Sequence, residues 1–292
     1  LILGYTTGGA SDATARIINR PLEQILKQSV VTDYKPGAGA SIGAEFVARA
    51  APDGYTIGLT DTGPLCIMPH LRKVSYDPLT SFTPLSYICT TGLVLIVNPE
   101  LPVNNIQELI AMAKKRPGSL SYASSGVGSV HHLAGELFKA RAGVSIVHIP
   151  YRGAGPALTD LVGGQIPVMF ATIGPALSMI SAGKARALGV TSLTRSASLP
   201  NVPTIAERGL NGYEAVLRFY VMGPAKMPQL ITTKLQSDFK TVVTDSTVIA
   251  ELKKLGNDEI GYKSPSEIEA LIQDDYRKWG NLITQTKITL DT

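Results

Sequence analysis

Cysteine and large aromatic rings are scarce in this 292-residue chain, which holds two cysteines, one tryptophan and six phenylalanines. Cys66 and Cys89 lack the paired spacing of a metal site, so no metal is expected; they fit one disulfide or two buried thiols. With so few rings for stacking, a net charge of only +4 and no dense lysine or arginine block, no nucleic-acid partner is expected. The slight positive excess favours small anionic ligands instead. No run of 18 or more apolar residues occurs, so no segment reads as a membrane span. No signal peptide is visible; Leu1-Ile2-Leu3 already reads as a strand, and any native leader is expected to have been removed ahead of it.

Nucleotide signatures are missing as well. Gly-Lys-Ser and Gly-Lys-Thr are absent, which excludes a P-loop. "GAGASIG" (37–43) is one residue longer than the dinucleotide-binding spacing and has no clear acidic ribose partner about 20 residues on. "GVGSV" (126–130) places its serine wrongly for a nucleophile elbow. Neither cysteine has an activated setting and no histidine has a paired serine motif, so no cofactor and no catalytic residue is expected. An enzyme acting on an acidic substrate is the reading disfavoured on this ground.

What the chain does have is a regular alternation of apolar strands and amphipathic helices, the pattern of an α/β protein. Strands are expected at 1–5, 30–34, 55–60, 84–88 and 93–97, with helices up to about 27 and over 40–50. "NPELPVNN" (98–105) then breaks the pattern with two prolines and three asparagines. A second block follows, with helices at 106–113, 129–142, 156–162 and 175–182 and strands at 121–123, 145–149, 167–171 and 185–190. A strand near 215–222 leads into C-terminal helices. Crossings near 98 and 217 give a first domain of 1–98 plus 217–292 and a second of 99–216. Two crossings imply two lobes with a cleft.

Four loops place glycines just before a helix: Thr7–Ser11, Pro36–Ser41, Ser124–Ser129 and Arg152–Pro156. A helix start offers unpaired N–H groups and a partial positive charge, worth about 0.3–1 kcal/mol to an exposed anion and up to ~2 when sheltered. A micromolar ligand needs about 8 kcal/mol, so several such loops must converge. Each loop taken alone is more often a simple turn than a ligand site. Asp12 is expected to pair with Arg16 one turn on. Adjacent His131 and His132 point roughly 100° apart on a helix, which suits a buried or capping role better than a metal site. Arg152 and Arg218 stand at strand–loop junctions where a carboxylate could be clamped, or where each forms a surface salt bridge. Asp61 is placed to receive an ammonium or to pair with Arg218.

"YTTGGASDATAR", "KPGAGASIGAEFVARAAPDGYTIGL", "SYASSGVGSVHHLAGELFKARAG", "HIPYRGAGPALTDLVGGQIPVMF" and "LPNVPTIAERGLNGYE" resemble, in this order and over nearly the whole chain, the receptor family of tripartite tricarboxylate transporters, also called Bug-type solute-binding proteins. The resemblance implies a periplasmic protein of the type II periplasmic-binding-protein fold, two α/β lobes with a ligand cleft and two interdomain crossings. It implies a small carboxylate ligand held by main-chain amides of glycine loops and by ordered waters. It also implies delivery to the membrane components of a transporter. Carried onto this chain, it assigns Tyr5, Thr7, Gly9 and Thr62 to one lobe. The other lobe receives Ser124, Ser125, Gly128, Ser129, Tyr151, Arg152, Gly153 and Ala154, with Thr172 at the cleft floor. The sequence departs from the family where Thr6 and Thr7 replace the usual prolines, where Phe219 stands near a frequent tryptophan, and at Arg218, which is not a fixed family feature. Phe219 and Tyr5 are expected as apolar walls and Arg218 as a clamp for a second carboxylate, which favours a dicarboxylate or aromatic acid. A monomeric, non-catalytic receptor is expected, with a ligand-sensing subunit of a membrane signalling protein as the alternative.

Overall fold

A computed structural model describes residues 1–289, and the chain divides into two compact units. Unit 1 comprises Leu1–Thr90, Arg218–Lys254 and the described residues from Glu259 on; unit 2 comprises Thr91–Leu217 and Leu255–Asp258. In chain order the strands are β1 (Ile2–Leu3), β2 (Asp33–Tyr34), β3 (Gly58–Asp61), β4 (Phe82–Val97), β5 (Ser121–Ser124), β6 (Val147–Pro150), β7 (Val168–Thr172), β8 (Arg186–Val190), β9 (Val216–Pro224) and β10 (Glu259–Ile260). The helices are α1 (Ala10–Leu26), α2 (Ser41–Ala48), α3 (Met68–Leu71), α4 (Ile106–Lys115), α5 (Val130–Ala142), α6 (Ala154–Val162), α7 (Ile173–Ser181), α8 (Gln229–Thr244), α9 (Ser246–Lys254) and α10 (Pro265–Thr286).

Each unit is built on the same strand plan. Unit 1 orders its sheet β2-β1-β3-β9-β4-β10, and unit 2 orders its own β8-β4-β7-β5-β6. In both, the earliest strand of a parallel trio lies in the middle: β1 pairs β2 and β3, and β5 pairs β6 and β7. An antiparallel strand then flanks each trio, β9 beside β3 and β4 beside β7. In sheets of this kind the strand order reverses at the first strand, and ligands bind outside the carboxyl ends of the strands at that reversal. The loops that leave β1, β3, β5, β6 and β7 lie at those carboxyl ends.

The sequence suggests separate strands at 84–88 and 93–97, whereas β4 runs unbroken through 16 residues. The polar links survive burial because they are β-branched and satisfied: Thr90 pairs with Glu259 across the ladder, and Thr91 Oγ1 donates to Gly256 O at 3.1 Å. Chain passage from unit 1 to unit 2 occurs inside β4, and the return occurs inside β9. The turn Gly63–Ile67 and α3 are helical pieces that two prolines, Pro64 and Pro69, hide from a periodicity search. Strands expected at 30–34 and 55–60 shrink to two and four residues, since pairing rather than propensity sets their ends.

Helix starts follow local chemistry. Ser129 caps α5 by accepting from His132 N, and Ser264 with Glu267 forms a reciprocal capping box at α10. Close helix-to-strand packing in unit 2 depends on Gly135, where a Cβ would run into the Tyr122 ring. Cys66 and Cys89 are separate buried thiols, and burial pushes both upward from their ordinary ionisation range. No helix among the described residues is long and apolar enough to cross a membrane.

Candidate ligand-binding loops

In unit 1, β1 runs into Gly4 and Tyr5, then an exposed turn over Thr6, Thr7 and Gly8 that enters α1 at Gly9. Gly9 is the N-cap residue and supplies no side-chain cap, so the first-turn N–H groups depend on other acceptors. One acceptor is internal: Asp12 Oδ2 accepts from Gly8 N at 2.9 Å, while its Oδ1 accepts from Tyr34 Oη at 2.6 Å and from Arg16 Nε at 3.2 Å. The expected Asp12–Arg16 pair is therefore present, within a larger cluster. These donors keep the Asp12 carboxyl below its usual range despite the opposing effect of burial.

Beside this loop, Asp61 ends β3 and is 2% exposed. Its Oδ1 accepts from Gly63 N at 2.7 Å and receives a long contact of 3.4 Å from Tyr5 Oη. Burial raises its pKa to about 7, against the stabilising pull of the Gly63 and Tyr5 donors. A cavity of about 10 Å³, room for one water, is lined in part by Gly4, Tyr5, Thr60 and Asp61. Thr62 is fully buried and accepts from Arg218 N at 3.1 Å, and Phe219 lies in the sheet opposite Asp61, 1% exposed. Arg218 has a partner on α10. Its Nη1 reaches both carboxylate oxygens of Asp275 at 2.7 and 2.6 Å, with both side chains largely buried. Asp275 belongs to the buried stripe of α10, where the sequence pattern treats it only as one position among apolar neighbours.

In unit 2 the turn after β5 is stitched together from within. Ser124 is fully buried; its Oγ accepts from Gly126 N at 3.1 Å and lies 2.7 Å from His148 Nε2. Ser129 Oγ donates to Gly126 O at 2.7 Å as it caps α5, and Gly128 N donates to His132 Nδ1 at 3.2 Å. His132 in turn stacks on His148, ring centroids 4.0 Å apart. Positive φ at Gly126 (131°) and Gly128 (78°) explains why this turn requires glycine.

Ser125 is the half-buried hydroxyl of that turn, and it meets His131. Ser125 Oγ lies 2.8 Å from His131 Nδ1, and His131 Nε2 lies 3.0 Å from Thr172 Oγ1. One imidazole thus bridges the loops that follow β5 and β7. Burial lowers both His131 and His132 to about 4, so each is neutral at ordinary pH. After β6, Tyr151 N donates to Ser124 O at 3.1 Å and Tyr151 Oη donates to Asp160 at 2.7 Å. Arg152 is exposed, Gly153 caps α6 with φ 125°, and Ala154 opens that helix. Thr172 caps α7 without a side-chain bond to it, because its hydroxyl is turned to His131.

Unit 2 therefore brings Ser124, Ser125, Gly128, Ser129, Tyr151, Arg152, Gly153, Ala154 and Thr172 to the carboxyl ends of β5, β6 and β7. Unit 1 brings Tyr5, Thr7, Gly9 and Thr62 to the ends of β1 and β3. The sequence reading gives the adjacent His131 and His132 a buried or capping role, which their burial matches, but it does not single out His131 and His148 as partners of the loop hydroxyls; the signal available was the histidine pair directly after a serine- and glycine-rich loop. Among the described residues no group of three His, Cys, Asp or Glu side chains is gathered for a metal.

The chain is similar along nearly its whole length to several proteins of solved structure. Rpa4515 of R. palustris, solved with adipate, is 33% identical, with a TM-score of 0.93 over 99% of this chain and 97% of that one. The periplasmic binding protein BugD is 32% identical at a TM-score of 0.93, again over 99% and 97%. MatC of Rhodopseudomonas palustris, solved with bound malate, is 27% identical at 0.90 over 97% of each chain. Such a fold is that of two-lobed periplasmic solute-binding proteins, whose members here are receptors and not enzymes. The model of the tripartite tricarboxylate transporter family receptor matches residues 14–288, and with glycine loops at the strand ends of both units, the chain belongs to that family, as a receptor of the Bug type.

Proposed function

We propose that this chain is a periplasmic receptor that captures a small organic carboxylate, a dicarboxylate or aromatic acid in preference, and delivers it to the membrane components of a tripartite tricarboxylate transporter. The observation that carries this reading is the clustering of N–H donors and hydroxyls at the carboxyl ends of β5, β6 and β7, with neutral histidines behind them. A helix start favours negative charge there, and among the described residues the Ser125 and Thr172 hydroxyls are bonded to an imidazole and not to a carboxylate. Relatives of similar fold hold adipate and malate, which supports the ligand class.

In this reading Ser125, Thr172, Tyr151, Arg152 and the amides of Gly153 and Ala154 contact the acid. Tyr5, Thr7 and Gly9 form the corresponding donor loop of unit 1. Ser124, Gly128 and Ser129 hold the turn in shape. Thr62, Phe219 and Arg218 brace the strand behind Tyr5, since the Arg218 guanidinium is committed to Asp275. A second carboxylate is then met by Arg152 and by amides in place of Arg218.

A thermal-shift screen over mono-, di- and tricarboxylates, aromatic acids and acidic amino acids tests the proposal. A ligand at a hundred times its Kd adds about 2.7 kcal/mol to stability. The acid should be recovered chemically unchanged. No stabilisation by any of these acids, or conversion of one of them, would refute the receptor reading.

A further inference from the structure

We propose that His131 is a positioning residue that sets the donor and acceptor roles of Ser125 and Thr172, so that this hydroxyl pair selects a carboxylate bearing a hydroxyl group over the same acid without one. The proposal deepens the receptor reading above and rests on it.

Proton counting carries the inference. The chain Ser125–His131–Thr172 contains two hydroxyl protons and, on a neutral imidazole, one N–H. Its two hydrogen bonds consume two of these three protons. One hydroxyl proton is left over to face a ligand, and the other hydroxyl presents only lone pairs. Either tautomer gives the same count; the tautomer decides which residue donates. A bare carboxylate meets one donor and one repelling lone pair. An acid with a neighbouring hydroxyl fits both, because its carboxylate accepts and its hydroxyl donates. An unsubstituted acid reaches the same fit only by bringing in a fourth proton, on His131 or on itself.

The surroundings keep this count simple. Both His131 nitrogens are occupied by Ser125 and Thr172. The other ionisable groups on the elements around it are engaged elsewhere: His132 with Gly128, His148 with Ser124, Tyr122 with Glu136, Glu136 with Lys139, and Tyr213 with Ala134 O. β7 contributes none. Burial disfavours the imidazolium, so the neutral, three-proton state is the resting one.

Calorimetry with matched pairs, malate against succinate and 2-hydroxyadipate against adipate, tests the proposal in two buffers of different ionisation enthalpy. The hydroxy acid should bind at least about tenfold more tightly, the effect of one well-made hydrogen bond. The unsubstituted acid should take up about one proton on binding and weaken as pH rises, while the hydroxy acid takes up about none. His131→Phe releases both hydroxyls, so the preference should fall below about threefold and the proton uptake should vanish. His131→Gln, which keeps one donor and one acceptor, should restore the preference. Thr172→Val, nearly isosteric, covers the case in which His131→Phe fails to fold and should likewise abolish the preference.

Equal affinity within each pair without proton uptake overturns the proposal while leaving the receptor reading intact. So does a His131→Phe protein that weakens both acids equally and keeps their ratio. If neither pair binds but another acid in the wider screen does, the assigned substrate class is wrong and the proposal falls. Failure of every acid refutes the receptor reading itself.

Discussion

The two units share a strand plan but secure the first loop of each parallel trio by different chemistry. Unit 1 backs its loop with carboxylates: Asp12 ties Gly8 to Tyr34 and Arg16, Asp61 sits buried at the end of β3, and Asp275 holds Arg218. Unit 2 backs the turn after β5 with imidazoles, His131, His132 and His148, bonded to serine, threonine and glycine, and burial keeps His131 and His132 neutral. A carboxylate behind a loop repels an incoming anion unless its charge is already matched; a neutral imidazole does not. The same scaffold therefore holds the first loop of unit 1 with charged carboxylates, whereas in unit 2 imidazoles serve the turn after β5 and a carboxylate, Asp160, holds only the Tyr151 hydroxyl after β6.

The largest expected effect breaks unit 1. Arg218→Ala leaves Asp275 charged and buried, which should cost about 3–5 kcal/mol in denaturant unfolding. The paired replacement Arg218→Met with Asp275→Leu should recover most of that loss, since the apolar substitute removes both desolvated charges. Carboxylate affinity of the refolded double variant should stay near that of the parent if Arg218 braces rather than clamps.

Next comes pH, where the two units should respond with opposite signs. Asp61 has a folded pKa raised to about 7 from 3.8, so the folded protein holds a proton that the unfolded chain has released. Its contribution lowers stability by about 1.4 kcal/mol per pH unit between about 4 and 7, and Asp61→Asn should remove that loss. His131 and His132 are lowered from 6.5 to about 4, so the unfolded chain binds protons that the folded one refuses. Each raises stability by about 1.4 kcal/mol per unit as pH rises from about 4 to 6.5, and His131→Gln should halve that slope. Thermal midpoints measured from pH 4 to 8 for the three proteins separate the contributions; equal slopes would contradict the contrast between the units.

Gly135→Ala should destabilise unit 2 by about 1–3 kcal/mol, because the added methyl meets the Tyr122 ring packed against α5. The smallest effect sharpens the comparison most. Ser264→Ala and Ser129→Ala each remove a helix cap and should each cost about 1 kcal/mol. Only Ser129→Ala should also weaken acid binding, since Ser129 holds the Gly126 turn.

Much of the architecture was legible because periodicity reports burial directly. The helices at 106–113 and 129–142 and the strand at 121–123 coincide with α4, α5 and β5 within a few residues. β4 was read as two pieces because Thr90, Thr91 and Gly92 look like a break until their partners at Gly256 and Glu259, far along the chain, are in place. Arg218 illustrates the same limit. The sequence sets it at a strand–loop junction and suggests a clamp, but it lies inside β9 and its partner is 57 residues away on a helix whose pattern reads as apolar.

The order of strands and helices, the glycine turns and the excess of loop donors follow from the sequence alone, since each depends on neighbours a few residues apart. The donor partners of those loops do not. That Ser125 and Thr172 share one imidazole, that Asp12 accepts from Tyr34, and that Arg218 faces Asp275 are decided by the packing of separate elements. A hydrogen bond needs its two atoms within about 3 Å, and only the folded chain brings such distant residues that close.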